Sequence, residues 1–222
     1  MARSRPTVGP LRPQIQPLEL ADLTQGDALD LEANADLEGF SFTDLSVDEV
    51  ELRAATLFQS QVIGLSANQA DVRGIRLHEV ELDRLNIPVW KGARSDWRDV
   101  VVQGGRLGSA ELYESTLRSV TFTGVKISYL NLRGASLQDV LFTDCVIDEL
   151  DLGGAKVSRV SVEGTKVGRL DVQQSQLSNL DLRGADLAEI VGLSALRGAT
   201  ISELQLTQLA PAFAASLGIQ IA

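Results

Sequence analysis

The feature that most restricts this chain is a hydrophobic repeat with a period of five. Stepping by five from Leu37 to Leu187 visits 31 positions, and all but Ala67 and Gly92 hold Leu, Ile, Val, Phe or Trp. Two residues before each of these, from Ala35 and Phe40 to Leu180 and Ala185, only small or apolar residues occur. None of these 62 positions is charged, although a chain that is 23% charged would place about 14 charges there if burial had no period. A helix buries residues with a period of 3.6 and a strand with a period of 2, so neither element, extended indefinitely, produces this pattern. The chain must turn every five residues. Within each pentapeptide the two inward positions lie two apart, as on one face of a short strand, and the residue between them points out.

A second, longer period sets the number of walls. One column of first-inward residues runs Ala55, Ile75, Ser95, Ser115, Ala135, Ala155, Ser175, almost all small, and the next runs Val80, Val100, Val120, Val140, Val160, Leu180, all branched. Phe42, Phe122 and Phe142 are the central-position Phe residues, and they share one column. Four fives therefore make one turn of a coil, with like side chains stacked about 4.8 Å apart as in a strand ladder. Thirty-one walls predict nearly eight coils and a rod roughly 35–40 Å long.

The segments LNLRGASLQDV (130–140), LDLGGAKVSRV (150–160) and LDLRGADLAEI (180–190) resemble the pentapeptide-repeat family, whose consensus is Ala-(Asp/Asn)-Leu-X-X. The resemblance spans about 150 of the 222 residues. It implies an all-β solenoid, a right-handed quadrilateral parallel β-helix, and the handedness comes from the resemblance alone. Many first-inward positions hold Val, Leu, Phe or Trp where the family prefers Ala, and a wider side chain must push a wall outward or displace a neighbour.

A coil stack needs atypical segments at its ends. Residues 1–17, Pro-rich and holding Arg3, Arg5 and Arg12 with no acid, read as a flexible N-terminal tail, and residues 18–34 as an N-terminal cap in which Leu29 and Leu31 keep the two-apart spacing one register off. The β-helix is expected over 35–198. In 199–222 the phase resumes one register early at Ala199/Ile201 and Leu204/Leu206, then gives way to a short C-terminal helix. For that helix Thr207 is the expected N-cap, Pro211 falls in the early turns and Gly218 is the stop. Its apolar positions Leu206, Leu209, Phe213 and Leu217 either lid the last coil or also form a homodimer interface, as C-terminal helices do in several proteins of the resembled family.

Charge is distributed unevenly. The formal net charge of −10 argues against a direct nucleic-acid binder, which needs a positive field. Residues 18–52 hold eleven acids and no Lys or Arg, whereas from residue 53 onward 19 acids face 17 bases. The acidity belongs to one end, and Asp36, Glu38, Asp44, Asp48, Glu49 and Glu51 are the candidate partner-binding residues there. A single Cys excludes an intramolecular disulfide, and no run approaches the ~20 apolar residues of a membrane span. With no signal-peptide pattern at the N-terminus, a cytoplasmic protein is expected.

Chemistry-bearing motifs are scarce. His78 follows a central position and points outward; Cys145 takes a first-inward slot and reads as an inert small core residue. The Gly residues follow the repeat as corner residues without a nucleotide-binding motif. Paired carboxylates such as Asp48/Glu49 and Asp148/Glu149 fall at corners of a convex rod rather than in a pocket. No catalytic residue, metal site or cofactor is expected. Within NIPVWKGARSDW (86–97), Trp90 takes a first-inward slot and Gly92 the central slot of the same pentapeptide. Either the indole fills the space Gly92 leaves, or Trp90 turns outward as a partner-binding bulge. The function expected is that of a non-enzymatic, rigid protein–protein interaction scaffold. The alternative is a DNA mimic that binds DNA gyrase or another type II topoisomerase, as quinolone-resistance members of the resembled family do. Its candidate column is Glu51, Asp71, Glu111, Asp151, Asp171, broken by Lys91 and Asn131.

Overall fold

The computed structural model describes residues 9–220. Seventeen strands join one continuous sheet in which every pairing is parallel. Through the body of the rod each residue pairs with the one twenty places on: Leu117 with Leu137, Phe122 with Phe142, Leu130 with Leu150. A turn is thus four pentapeptides. The first two walls share one eight-residue strand per coil, as in Thr56–Ile63, Arg76–Asp83 and Asp96–Gln103, while Asn86–Lys91 and Arg106–Glu111 run along the other two.

The two inward positions of each pentapeptide build one continuous core from Leu31 to Ala185. Leu112, Leu132 and Leu152 are all at most 2% exposed, and their backbone N–H groups donate up the stack, Leu112 to Asn131 O and Leu132 to Asp151 O. The Phe column forms as the twenty-residue period requires. Phe122 and Phe142 stack with ring centroids 4.9 Å apart and planes 9° from parallel, and Trp97 extends the stack at 6.3 Å. Offset stacking of this kind adds about 1 kcal/mol per pair beyond area burial.

Corners explain what the repeat leaves unspecified. At three of the four, the last residue of the pentapeptide has positive φ. One corner uses Gly39 and then Gln59, Glu79, Asp99, Ser119, Asp139, Arg159 and Asn179; the next mixes Asp44, Arg84 and Asp144 with Gly64, Gly104, Gly124 and Gly164; a third mixes Ala54, Arg94, Glu114 and Gln174 with Gly74, Gly134 and Gly154. The fourth corner has no left-handed residue, which is why it accommodates Val89 and Tyr129, side chains that fit poorly at positive φ.

Both ends depart from the twenty-residue step. Thr24–Gln25 adds a strand to Phe40–Thr43 with a step of sixteen, and Ala199–Thr200 closes on Leu180 and Asp181 with a step of nineteen. These end strands bring the solenoid to about nine turns, against the nearly eight counted from the uninterrupted pattern. At the N-terminal end a 3-10 turn at Ala28–Asp30 is held by reciprocal Asp27 and Asp30 caps; Leu31 is buried, but Leu29 is 87% exposed. Gly26 lies against the Phe42 ring so closely that a Cβ there would sit 2.3 Å from Cε1, so the cap closes directly onto the first aromatic of the core.

The C-terminal helix spans Glu203–Ser216 and starts five residues earlier than the sequence reading expects. Its N-cap is Ser202, whose Oγ accepts the Gln205 N–H while Gln205 Oε1 accepts the Ser202 N–H. Thr207 is inside the helix, donating to Glu203 O at 3.0 Å. Pro211 likewise falls in the interior rather than the early turns.

Candidate functional site

Among the described residues the walls carry only shallow, open depressions, and the surfaces available for function are these, the two ends and the outward columns. The N-terminal tip carries a ring of exposed carboxylates. Asp36 and Glu38 lie on the first wall, Asp44 at the corner that ends the second, Asp48 and Glu49 on the third wall and Glu51 on the fourth, all six exposed. Arg53 Nη2 meets Glu51 Oε2 at 2.8 Å, with both side chains about half in solvent, so it screens the ring weakly. Beside Asp48 the third wall sinks into a shallow polar depression of about 540 Å3, lined by Ser46, Asp48, Ser66, Asn68, Asn86 and Pro88. The depression has a local cause: Ala67 stands where the repeat puts a branched residue, and in these coils the wall is joined only by the isolated bridges Ser46–Ser66 and Ser66–Asn86.

The column Glu51, Asp71, Glu111, Asp151, Asp171 stands in vertical register as the spacing requires. Its chemistry differs from that of a row of free anions. Asp71, Asp151 and Asp171 are each 5–7% exposed. Each accepts the backbone N–H two residues on, from Arg73, Gly153 and Gln173, and so caps a corner. Two are also tied to guanidinium groups: Arg73 Nε meets Asp71 Oδ1 at 2.8 Å, and Arg133 Nη1 lies 3.1 and 3.2 Å from the two oxygens of Asp151. Hydrogen bonding from Arg73 holds the Asp71 carboxyl below its ordinary range against the opposing effect of burial. The same pattern recurs elsewhere on the walls, with Arg183 on Asp181, Arg159 on Asp139 and Arg169 on Glu149. The walls are therefore mixed in sign and the tip is not.

At the opposite end the helix turns Gln205 and Leu209 inward, and Phe213 is half-buried. Gln205 Nε2 donates to Leu182 O at 2.7 Å and Ala185 O at 2.8 Å, satisfying carbonyls of the last coil that have no further strand to pair with. Leu206 and Leu217 are 53% and 74% exposed, and Leu204 and Ile219 join them in solvent. The four expected helix positions thus divide into two facing the rod and two facing away. Leu187, Ile190 and Leu196 of the last coils remain half-buried, so the helix covers this end only in part.

Trp90 is 5% exposed, with Ala70 and Ala110 as its rung neighbours and Gly92 beneath the indole; a Cβ on Gly92 would lie 2.6 Å from Trp90 Nε1. The volumes are exchanged within the wall, and no outward bulge forms. Cys145 is buried, its Sγ donating to Phe122 O and Thr143 O, and desolvation pushes its thiol pKa up, away from nucleophilic chemistry. His78 faces outward, 5.2 Å from the Phe58 ring. No helix among the described residues is long and apolar enough to cross a membrane.

Parallel pairing at a step of twenty, two inward residues per five and a turn of four fives decide the architecture. This is a pentapeptide-repeat fold. No protein-family model matches the chain, and no curated protein matches it. Among solved structures, the pentapeptide-repeat fold is similar to full-length QnrB1, a plasmid-mediated fluoroquinolone resistance protein, at 14% identity and a TM-score of 0.33, covering 85% of this chain and 94% of that one. It is also similar to HetL, a pentapeptide-repeat protein involved in heterocyst differentiation regulation from the cyanobacterium Nostoc sp. strain PCC 7120. There the identity is 20% and the TM-score 0.30, over 77% of this chain and 90% of that one.

One contact of the pentapeptide-repeat rod escapes the sequence reading. Residues 9–17, read as part of a flexible tail, lie along the corner that carries Ser119, Asp139 and Asn179, and their backbone N–H groups donate to those three side chains. Nothing in their composition names a seat more than a hundred residues away.

Proposed function

We propose that the protein is a non-enzymatic, rigid scaffold that binds a basic protein surface through the carboxylate ring at its N-terminal tip. The observation that carries this reading is the contrast in charge: six exposed acids ring the tip, while the buried wall acids are occupied by arginines and corner N–H groups. A basic partner is steered to this cluster of exposed carboxylates, with an ionic-strength-dependent on-rate. The test is cross-linking capture from native cells with the wild type and with a tip variant in which Asp36, Asp44 and Asp48 become Asn and Glu38, Glu49 and Glu51 become Gln. The partners held by the wild type are expected to be lost by the folded variant, and by the wild type above about 0.3 M salt, where the Debye length falls toward 5 Å. Equal capture by both proteins at low salt would refute the reading.

The apolar stripe of the C-terminal helix supports a second element of the same proposal, a homodimer with its two acidic tips pointing apart. Leu206→Asp together with Leu217→Asp is expected to halve the mass seen by light scattering without loss of helix or strand signal, because neither side chain supports the rod. An unchanged mass counts against the dimer.

The mimic reading draws on the vertical register of the face-four acids, but burial and arginine pairing remove the potential that phosphate mimicry needs. In a gyrase supercoiling assay, with and without a quinolone, the expected result at micromolar protein is no change. Inhibition or protection would move the proposal to the topoisomerase alternative.

A further inference from the structure

The corner from Gln59 to Asn179 differs from the other left-handed corners in one respect. After Gly39 in the first coil, the seven residues from Gln59 to Asn179 all have φ between 44° and 58° and none is Gly, whereas the other two left-handed corners give the position to Gly about half the time throughout. A side chain at positive φ is strained, and strain repeated in seven successive coils points to a use for the side chains. For three of them the use is visible. Asn179 Oδ1 accepts the Leu11 N–H at 3.2 Å, Asp139 Oδ1 the Gln14 N–H at 2.9 Å, and Ser119 Oγ the Gln16 N–H at 3.0 Å.

The spacing of donors and acceptors matches. Acceptors two coils and one coil apart stand about 9.6 and 4.8 Å from one another along the rod. Three and two residues of extended, proline-punctuated chain advance roughly 9 and 6 Å. Pro13 and Pro17 lack an N–H and lie between or just beyond the bonded residues; the half-buried Pro13, Ile15 and Leu18 alternate with those whose N–H groups are used. Beneath the arm, Asp139 is 5% exposed and gripped by Arg159 through two contacts of 2.6 Å. From Gln16 the chain continues to Thr24–Gln25, which pairs with the first coil at Phe40 and Ser41. The arm therefore runs nearly the length of the rod, antiparallel to the direction in which the coils are laid down.

A solenoid is otherwise a chain of nearest neighbours, in which a terminal coil can open without disturbing coils further along. Ladder contacts here span about twenty residues, but the arm contacts span 168, 125 and 103. We infer that residues 9–20 form a clasp: the corner side chains seat the arm, and the seated arm makes the coils between Ser119 and Asn179 open together rather than peel singly from the C-terminal end.

Hydrogen exchange of the full chain tests this with two independent variants. Gln14→Pro with Gln16→Pro removes two donors from the arm and leaves the rod untouched. Ser119→Gly with Asn179→Gly removes two acceptors and also relieves two strained residues, so a purely local role for those side chains predicts unchanged or slower exchange. The clasp predicts the reverse: in both variants amides of residues 170–200 exchange at least about tenfold faster, while those of residues 60–100 keep their rates. Unchanged or slower exchange over 170–200 in either variant, or an increase confined to the substituted residues' immediate neighbours, would overturn the inference.

Discussion

Trp90→Ala is expected to lower the unfolding free energy by about 4 kcal/mol, among the largest effects of any single substitution in this chain. The indole fills the wall between Ala70 and Ala110 and over Gly92, so truncation leaves a cavity that three small neighbours cannot close. Gly92→Leu alone is expected to cost about 3 kcal/mol, because its Cβ would begin 2.6 Å from Trp90 Nε1 and 2.8 Å from Leu112 Cδ2. The double substitution moves the bulk from one inward slot to the other, restoring the volumes that most pentapeptides of this chain use. Its cost should fall short of the summed single costs by about 2 kcal/mol or more. Urea denaturation of the four proteins measures the coupling, and strict additivity would show that the two positions do not share one space. A milder variant separates packing from hydrogen bonding. Trp90 Nε1 is buried with no partner, so Trp90→Phe removes an unsatisfied donor along with part of the ring and should cost much less than Trp90→Ala.

Arg159→Ala is the second substitution with a large expected effect, about 3 kcal/mol at neutral pH, because it strands a buried carboxylate. Burial pushes the Asp139 carboxyl up, but the Arg159 guanidinium and the Gln14 N–H outweigh it and hold the group below its ordinary value. In the wild type the pair's contribution is therefore complete above about pH 4 and fades as pH falls through the lower folded value. In the variant, burial is opposed only weakly and the folded value rises, so protonation relieves the defect. The stability gap between the two proteins should be widest near neutrality and narrow in acid, and adding Asp139→Asn should recover most of the loss at pH 7. A gap that stays constant from pH 7 to pH 3 would show that the arginine acts through packing alone.

The body of the rod was legible because burial there is periodic in the sequence itself. Phe122 over Phe142, and Leu112, Leu132 and Leu152 in one column, follow from counting by twenty. The ends were harder, since closing steps of sixteen and nineteen residues belong to no period. The helix start carries a signal that competes with the apolar spacing: Ser202 and Gln205 form a Ser-x-x-Gln capping box, whereas the apolar positions point to Thr207. Charge placement was legible at the tip, where among the described residues Arg53 alone reaches the ring and stays half in solvent, and misleading on the fourth wall. A column of acids by spacing becomes, in three dimensions, a column of corner caps whose neighbours Arg73 and Arg133 fold back onto them. The arm's seat could not be read at all, because an extended peptide donating backbone N–H groups leaves no side-chain signature of its address.

The mismatched closing steps also bound the length of the assembly. A parallel sheet whose last rung repeated the geometry of the others would present a free template, and a second molecule could continue it rung upon rung into a fibre. The first strand closes four residues short and the last closes one short, so neither terminus displays a lattice that another molecule's terminus can prolong. The same irregularity that hides the ends from periodic counting keeps the sheet from growing from one molecule into the next.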